Sequence, residues 1–97
     1  MRNKKHIESV VSEYFKIPVE EIYEDKKKSY PYNGAKLVMM YMLYKYGMKV
    51  YSIAGLFDIS GRMAYHGIAQ VSVALRSDTK LKEDIENIEN LLTNKKQ

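Results

Sequence analysis

The side chains with most chemistry to offer fall in one stretch, Ile53-Ala54-Gly55-Leu56-Phe57-Asp58-Ile59-Ser60-Gly61-Arg62-Met63-Ala64-Tyr65-His66-Gly67-Ile68-Ala69-Gln70. Read at helical spacing, Ala64, Gly67, Ile68, Val71 and Leu75 share one apolar face. Arg62, Tyr65, His66, Ala69 and Gln70 then point away from it. That outward set suits hydrogen-bonded recognition in a DNA major groove. Arginine can bond both guanine acceptors, glutamine pairs with adenine, and alanine is small enough to meet a thymine methyl. Tyr65 and His66 can reach phosphate or base edges. The plainer alternative is a solvated polar face on a surface helix.

Phosphate-binding groups flank this stretch. Lys26-Lys27-Lys28 form a basic run, Lys36 follows it, and Lys49 precedes the recognition segment. Charge runs often serve only to keep a loop in water, but the nearness of this run to Lys36 favours phosphate contact. Tyr30 and Tyr32, beside the lysines, could stack on bases or simply pack the loop.

Other chemistries have little to build on. Without cysteine there are no disulfides, thiolate metal sites or thiol nucleophile. His6 and His66 are far apart and lack ligand spacing, so neither metal nor cofactor is expected. Glu20-Glu21 and Glu83-Asp84 are adjacent acids, and neighbours on a helix do not share a face. Both pairs read as solvated or helix-start charges. Ser60 has no cue to a partnering His and Asp, and no Gly-x-x-x-x-Gly-Lys-Ser/Thr loop is present. An enzyme is not expected.

Helices must position these groups. Ile7, Val10, Val11, Tyr14 and Phe15 define an opening amphipathic helix, with Asn3 as its N-cap. Pro18 and Glu20-Glu21 suit the start of a short second helix. Residues 25–34 have the charge, proline and glycine of an exposed loop. A central helix runs over 34–46, with Leu37, Met40, Tyr41 and Tyr44 on its apolar face, widened by Val38 and Met42. Gly47 occupies a left-handed cap position. Residues 52–57 make a short helix and Asp58-Ile59 a tight turn, with Ile59 plugging the core. Ser60 is the N-cap of the recognition helix. Ala54, Ala64 and Gly67 are small residues that would let the two helices cross closely. Leu81, Ile85, Ile88 and Leu92 mark a closing helix begun near Ser77 or Asp78. Residues 1–5 and 93–97 are expected to fray. Most of the six methionines are assigned to the core, the rest to an adaptable surface.

The whole is one all-α domain of about five to six helices containing a helix-turn-helix. Its 97 residues leave little room for a second domain. A hydrophobic share of 45% argues against disorder, and a net charge of +4 permits a nucleic-acid partner without requiring one. The basic N-terminus leads into polar-interrupted sequence rather than a signal peptide, and the apolar run 37–43 is far short of a membrane span. A cytoplasmic protein, nucleoid-associated when bound to DNA, is the expectation.

From about Ile7 to Leu92 the chain resembles the C-terminal DNA-binding domain of the bacterial replication initiator DnaA, a Trp-repressor-like helical domain. Residues 11–22 look like its opening helix and turn. Lys26-Lys27-Lys28 lie where the family has a basic stretch, and Ala35-Lys36-Leu37-Val38-Met39-Met40-Tyr41-Met42-Leu43 is similar to its basic, then Met-Tyr-Leu, helix. Ile53-Ala54-Gly55-Leu56-Phe57 matches its first helix-turn-helix helix, and Leu81-Lys82-Glu83-Asp84-Ile85 its last. The resemblance implies double-stranded DNA binding in replication initiation or transcription. It assigns Lys36 toward the minor groove, Lys27, Lys28 and the helix start at Ser60 and Gly61 to phosphate, and Arg62 to the reading helix. The family's Gly-Gly-Arg-Asp-His-Thr-Thr-Val signature is kept here only as Gly61-Arg62, after a longer turn. That departure implies altered or relaxed sequence preference. A second function class, a non-enzymatic module that docks protein or self-associates through its Met- and Tyr-rich surface, uses the same scaffold.

Overall fold

The computed structural model describes residues 4–24 and 32–94, with backbone only at 32, 33 and 94. These residues form α1 (Lys4–Phe15), α2 (Val19–Glu24), α3 (Tyr32–Lys45), α4 (Val50–Phe57), α5 (Gly61–Ala74) and α6 (Thr79–Asn94). Among the described residues there is no strand. None of the helices is long and apolar enough to cross a membrane. The all-α expectation is met, with boundaries moved by a residue or two. The central helix begins at Tyr32 instead of Gly34, and α4 begins at Val50 instead of Ser52.

The helix ends follow from local backbone chemistry. Gly47 has φ 114°, its N–H reaches the Tyr44 carbonyl at 3.1 Å, and the Met48 N–H reaches Leu43 at 3.0 Å. This paired arrangement satisfies carbonyls that the last helical turn leaves open. Two non-glycine residues do the same work. Lys16 (φ 59°) ends α1, with Ile17 N–H on the Ser12 carbonyl at 3.1 Å. Asp58 (φ 57°) ends α4, with Ile59 N–H on the Ala54 carbonyl at 3.0 Å. At the other ends, Asp78 Oδ1 accepts the Leu81 N–H at 3.0 Å and starts α6. Asn3, the expected cap of α1, lies outside the described residues, as do Tyr30 and most of the lysine loop's span, 25–31.

α3 is the hub. It packs against α1, α5, α2 and α4, while α6 packs chiefly on α1. Ala35, Val38, Met39, Met40, Met42 and Leu43 are all buried, joined in the core by Ile7, Val10, Val11, Ile22, Ile53, Phe57, Ile68, Ile88 and Leu92. A helix apolar on nearly every side belongs at the centre of a bundle. The expected stripe on α3 is corrected here: Tyr44 is 49% exposed and Leu37 and Tyr41 only half-buried. Periodicity gives no direction when almost every position is apolar.

One further expectation changes. Asp84 is not a solvated charge; it is 2% exposed. Its Oδ1 accepts from the Tyr14 hydroxyl at 2.7 Å and from Lys80 Nζ at 3.2 Å, and Asn87 Nδ2 donates to the Tyr14 oxygen at 3.1 Å. A buried carboxylate is tolerated when it is paired and hydrogen-bonded in this way. Lys4 Nζ pairs with Glu8 Oε2 at 2.9 Å one turn along α1, and fully buried Leu92 anchors the last turn of α6, which continues to Asn94.

Candidate nucleic-acid interface

The turn of residues 58–60 sets α5 on the core. Asp58 adopts the left-handed conformation, and half-buried Ile59 packs against the hydrophobic cluster beneath. Ser60 is extended (φ −74°, ψ 158°), and its side chain accepts the Met63 N–H at 3.1 Å, as expected of an N-cap. Such a cap contributes about 1 kcal/mol to the helix it starts. It also leaves the Gly61 and Arg62 N–H groups without a partner inside the helix, at the positive end of its dipole.

Ala64, Gly67, Ile68 and Val71 are buried, as the spacing requires. The close approach at Gly67 is not with α4, however. A Cβ placed there would stand 3.1 Å from Met40 Sδ and 3.2 Å from Leu37 Cδ2, both on α3. The small residue therefore seats α5 on the central helix. Opposite this face, Arg62, Tyr65, His66 and Gln70 are exposed, while Ala69 is half-buried. The rings of Tyr65 and His66 meet edge-on, with centroids 6.2 Å apart and planes at 67°.

Lys36 joins this group from α3. With Leu37, Met40, Ile59, Met63, His66, Gly67 and Gln70 it lines an open groove of about 510 Å³ along the α3 side of α5. Lys36 also borders a second groove, of about 430 Å³, with Asp58, Ile59 and Glu24. The basic side chain thus lies beside the turn and beside two of the expected base-reading residues. Lys49 stands apart from this groove, exposed at the N-cap of α4, where its side chain makes no capping bond. Lys26, Lys27 and Lys28 lie outside the described residues.

The sequence reading missed three side chains on this surface. Tyr51 is 85% exposed, and its ring edge lies 3.3 Å from where a Cβ on Gly61 would be. The Tyr51 side chain thus reaches from the first turn of α4 to the first turn of α5. Met63 and Val73 are exposed apolar residues on α5 itself. A start of α4 at Val50 would have brought Tyr51 into view. Among the described residues, no group of three His, Cys, Asp or Glu side chains could hold a metal ion.

Set against known proteins, the chain matches no family model and no curated sequence.

Proposed function

We propose that the chain binds double-stranded DNA through a helix-turn-helix formed by α4, the turn of residues 58–60 and α5. The observation that carries this reading is the outward face of α5. It offers Arg62, Tyr65, His66 and Gln70 to solvent while Gly67 and its neighbours fix the opposite face to α3. A 14-residue helix held in this manner has the dimensions and donor set for a major groove. The N-termini of α4 and α5 offer N–H groups to phosphate, with Lys49 at the first and Ser60 and Gly61 at the second, where the Tyr51 ring also reaches. Lys36 extends the phosphate contacts beside the groove, and the Lys26-Lys27-Lys28 run, which lies outside the described residues, is assigned to phosphate from the sequence. The resemblance to the C-terminal domain of DnaA supports the same assignment, and the changed signature around Arg62 favours altered or relaxed sequence preference.

Binding selection on random duplex DNA, followed by fluorescence anisotropy at two salt concentrations, tests the proposal. If Lys26, Lys27, Lys28, Lys36 and Lys49 each neutralise a phosphate, the logarithmic salt slope is about −4 to −5, at roughly −0.9 per contact. Arg62→Ala should weaken binding by about 1–3 kcal/mol and relax preference at one base position. A folded sample with no affinity at low salt would end this reading.

The exposed apolar side chains on α5 favour one alternative. Met63, Tyr65 and Val73 are 58%, 61% and 65% exposed, more apolar surface than phosphate binding uses. Docking to protein, including a second copy, would cover them. Sedimentation showing a tight dimer with no DNA affinity would select that reading.

A further inference from the structure

Behind the outward face of α5 lies a cleft that the DNA reading does not use. The start of α3 (Gly34, Leu37), the C-terminal half of α5 (Gln70, Val71, Ala74) and the start of α6 (Asp78, Lys80, Leu81, Asp84) surround about 310 Å³. Its origin is in the packing. α6 is held chiefly by α1, so its first turns stand off α3 and α5, and small Gly34 and Ala74 leave the gap unfilled. The volume is at the lower end of the range for small-molecule sites, roughly 300–1,000 Å³.

We infer that this cleft is a binding site for a small amphiphilic cation, a compact aromatic or branched apolar body carrying one ammonium group. Leu37, Val71, Ala74 and Leu81 supply apolar walls. The fixed polar group is Asp84, whose side chain is 3% exposed and is held from behind by the Tyr14 hydroxyl at 2.7 Å. The ion pair from Lys80 comes from the solvent side, since that side chain is 67% exposed. An ammonium on the ligand can take the same place against the carboxylate while its body fills the apolar space that lysine leaves open. Asp78 adds a second carboxylate at the mouth, so the lining carries two acids against one lysine. An anionic ligand would meet repulsion there. Gln70 borders both this cleft and the groove containing Lys36, so its amide reports on occupancy. The cleft stands whether or not the outward face of α5 binds DNA.

Titration of the full chain with benzylamine, and with benzyl alcohol and benzoate as neutral and anionic counterparts, tests the inference by methyl and side-chain amide NMR without DNA. Benzylamine should shift the methyl signals of Leu37, Val71, Ala74 and Leu81 and the Gln70 amide, in a saturable manner. Benzyl alcohol should bind about threefold more weakly or worse, since it cannot exchange a better-desolvated ammonium for the exposed one of Lys80, and benzoate not at all. Asp84→Asn should remove the preference for the amine. Ala74→Leu, which fills the cleft without touching the Tyr14–Asp84 bond, should abolish binding in a folded chain. No saturable shift with benzylamine, equal binding of the alcohol, or undiminished binding by Ala74→Leu would overturn the inference.

Discussion

Replacing Tyr14 by Phe should expose how much α6 depends on a single hydroxyl. Tyr14 on α1 donates to Asp84 on α6 at 2.7 Å, across 70 positions of sequence, and the carboxylate is 2% exposed. Removing the donor takes a hydrogen bond from that buried charge, and the ion pair from Lys80 at 3.2 Å offsets little of the loss because the lysine side chain is mostly in water. A hydrogen bond to a charged group contributes about 1.5–3 kcal/mol, and the exposed ion pair no more than about 1. Tyr14→Phe should therefore cost about 2 kcal/mol, which for a domain of this size lowers the melting temperature by roughly 8–16 °C. Asp84→Ala removes the buried charge along with its bonds. The partly buried Tyr14 hydroxyl then keeps Asn87 at 3.1 Å and turns its proton to water. In that background Tyr14→Phe should cost under about 0.5 kcal/mol. Urea unfolding followed by circular dichroism on the four chains of the cycle measures the difference, about 1.5 kcal/mol of coupling. Equal costs in the two backgrounds would refute the reasoning and show that the hydroxyl and carboxylate do not stabilise the fold together.

Three other outcomes follow from single groups. Lys16→Gly should raise stability by about 0.5–1 kcal/mol in urea titrations, because Lys16 holds φ 59°, a conformation that glycine adopts without a Cβ penalty. Ser60→Ala should lower it by about 1 kcal/mol through loss of the 3.1 Å bond from the Met63 N–H, while Ser60→Asp should keep most of that bond. Stability should also fall at alkaline pH. Burial first, then the hydrogen bond to Glu8, raises the pKa of Tyr23, and burial likewise raises that of Tyr14. The unfolded chain gives up these protons from about pH 10 while the folded chain retains them, so their contribution is whole below that pH and lost above it. The hydrogen bond to Glu89 raises Lys45 and acts in the same sense. Tyr23→Phe should lose less stability than the parent between about pH 8 and about pH 11, measured as urea midpoints.

The features legible in the sequence are those decided within a few residues. Ser60 and Asp78 cap α5 and α6, and Gly47 ends α3 in the left-handed conformation, because the chemistry needed at each place belongs to the residue itself. The amphipathic stripes of α1, α5 and α6 were readable for the same reason: each has one apolar side and one polar side. α3 offered no such contrast, which is why Tyr44 was assigned to the core although it is 49% exposed. Lys16 takes a left-handed conformation that glycine usually fills, so residue type concealed the way α1 ends, whereas the turn at Asp58-Ile59 was legible although its left-handed backbone was not. Asp84 was hidden for a different reason. Its position, three residues after Leu81 and four before Ile88, borders the apolar stripe that Glu83 avoids, but its partner Tyr14 is brought to it only by the packing of α6 on α1.

Gly67 shows how a feature can be read correctly in kind and wrongly in direction. A glycine inside an otherwise apolar helical face costs about 1 kcal/mol relative to alanine, and close backbone approach accounts for keeping it. The sequence suggested α4 as the neighbour, since that helix lies just upstream. The contact is with Leu37 and Met40 of α3. This difference bears on the candidate site. α3 also carries Lys36, one position before Leu37, so the residue that lets α5 settle on α3 brings Lys36 to the edge of the groove lined by Met63, His66 and Gln70. The same seating leaves the other wall of Gln70 against the cleft that holds Asp84. A cation from one helix and an exposed polar face from another thus become one surface through an uncharged contact between them, and composition alone gives no sign of that arrangement.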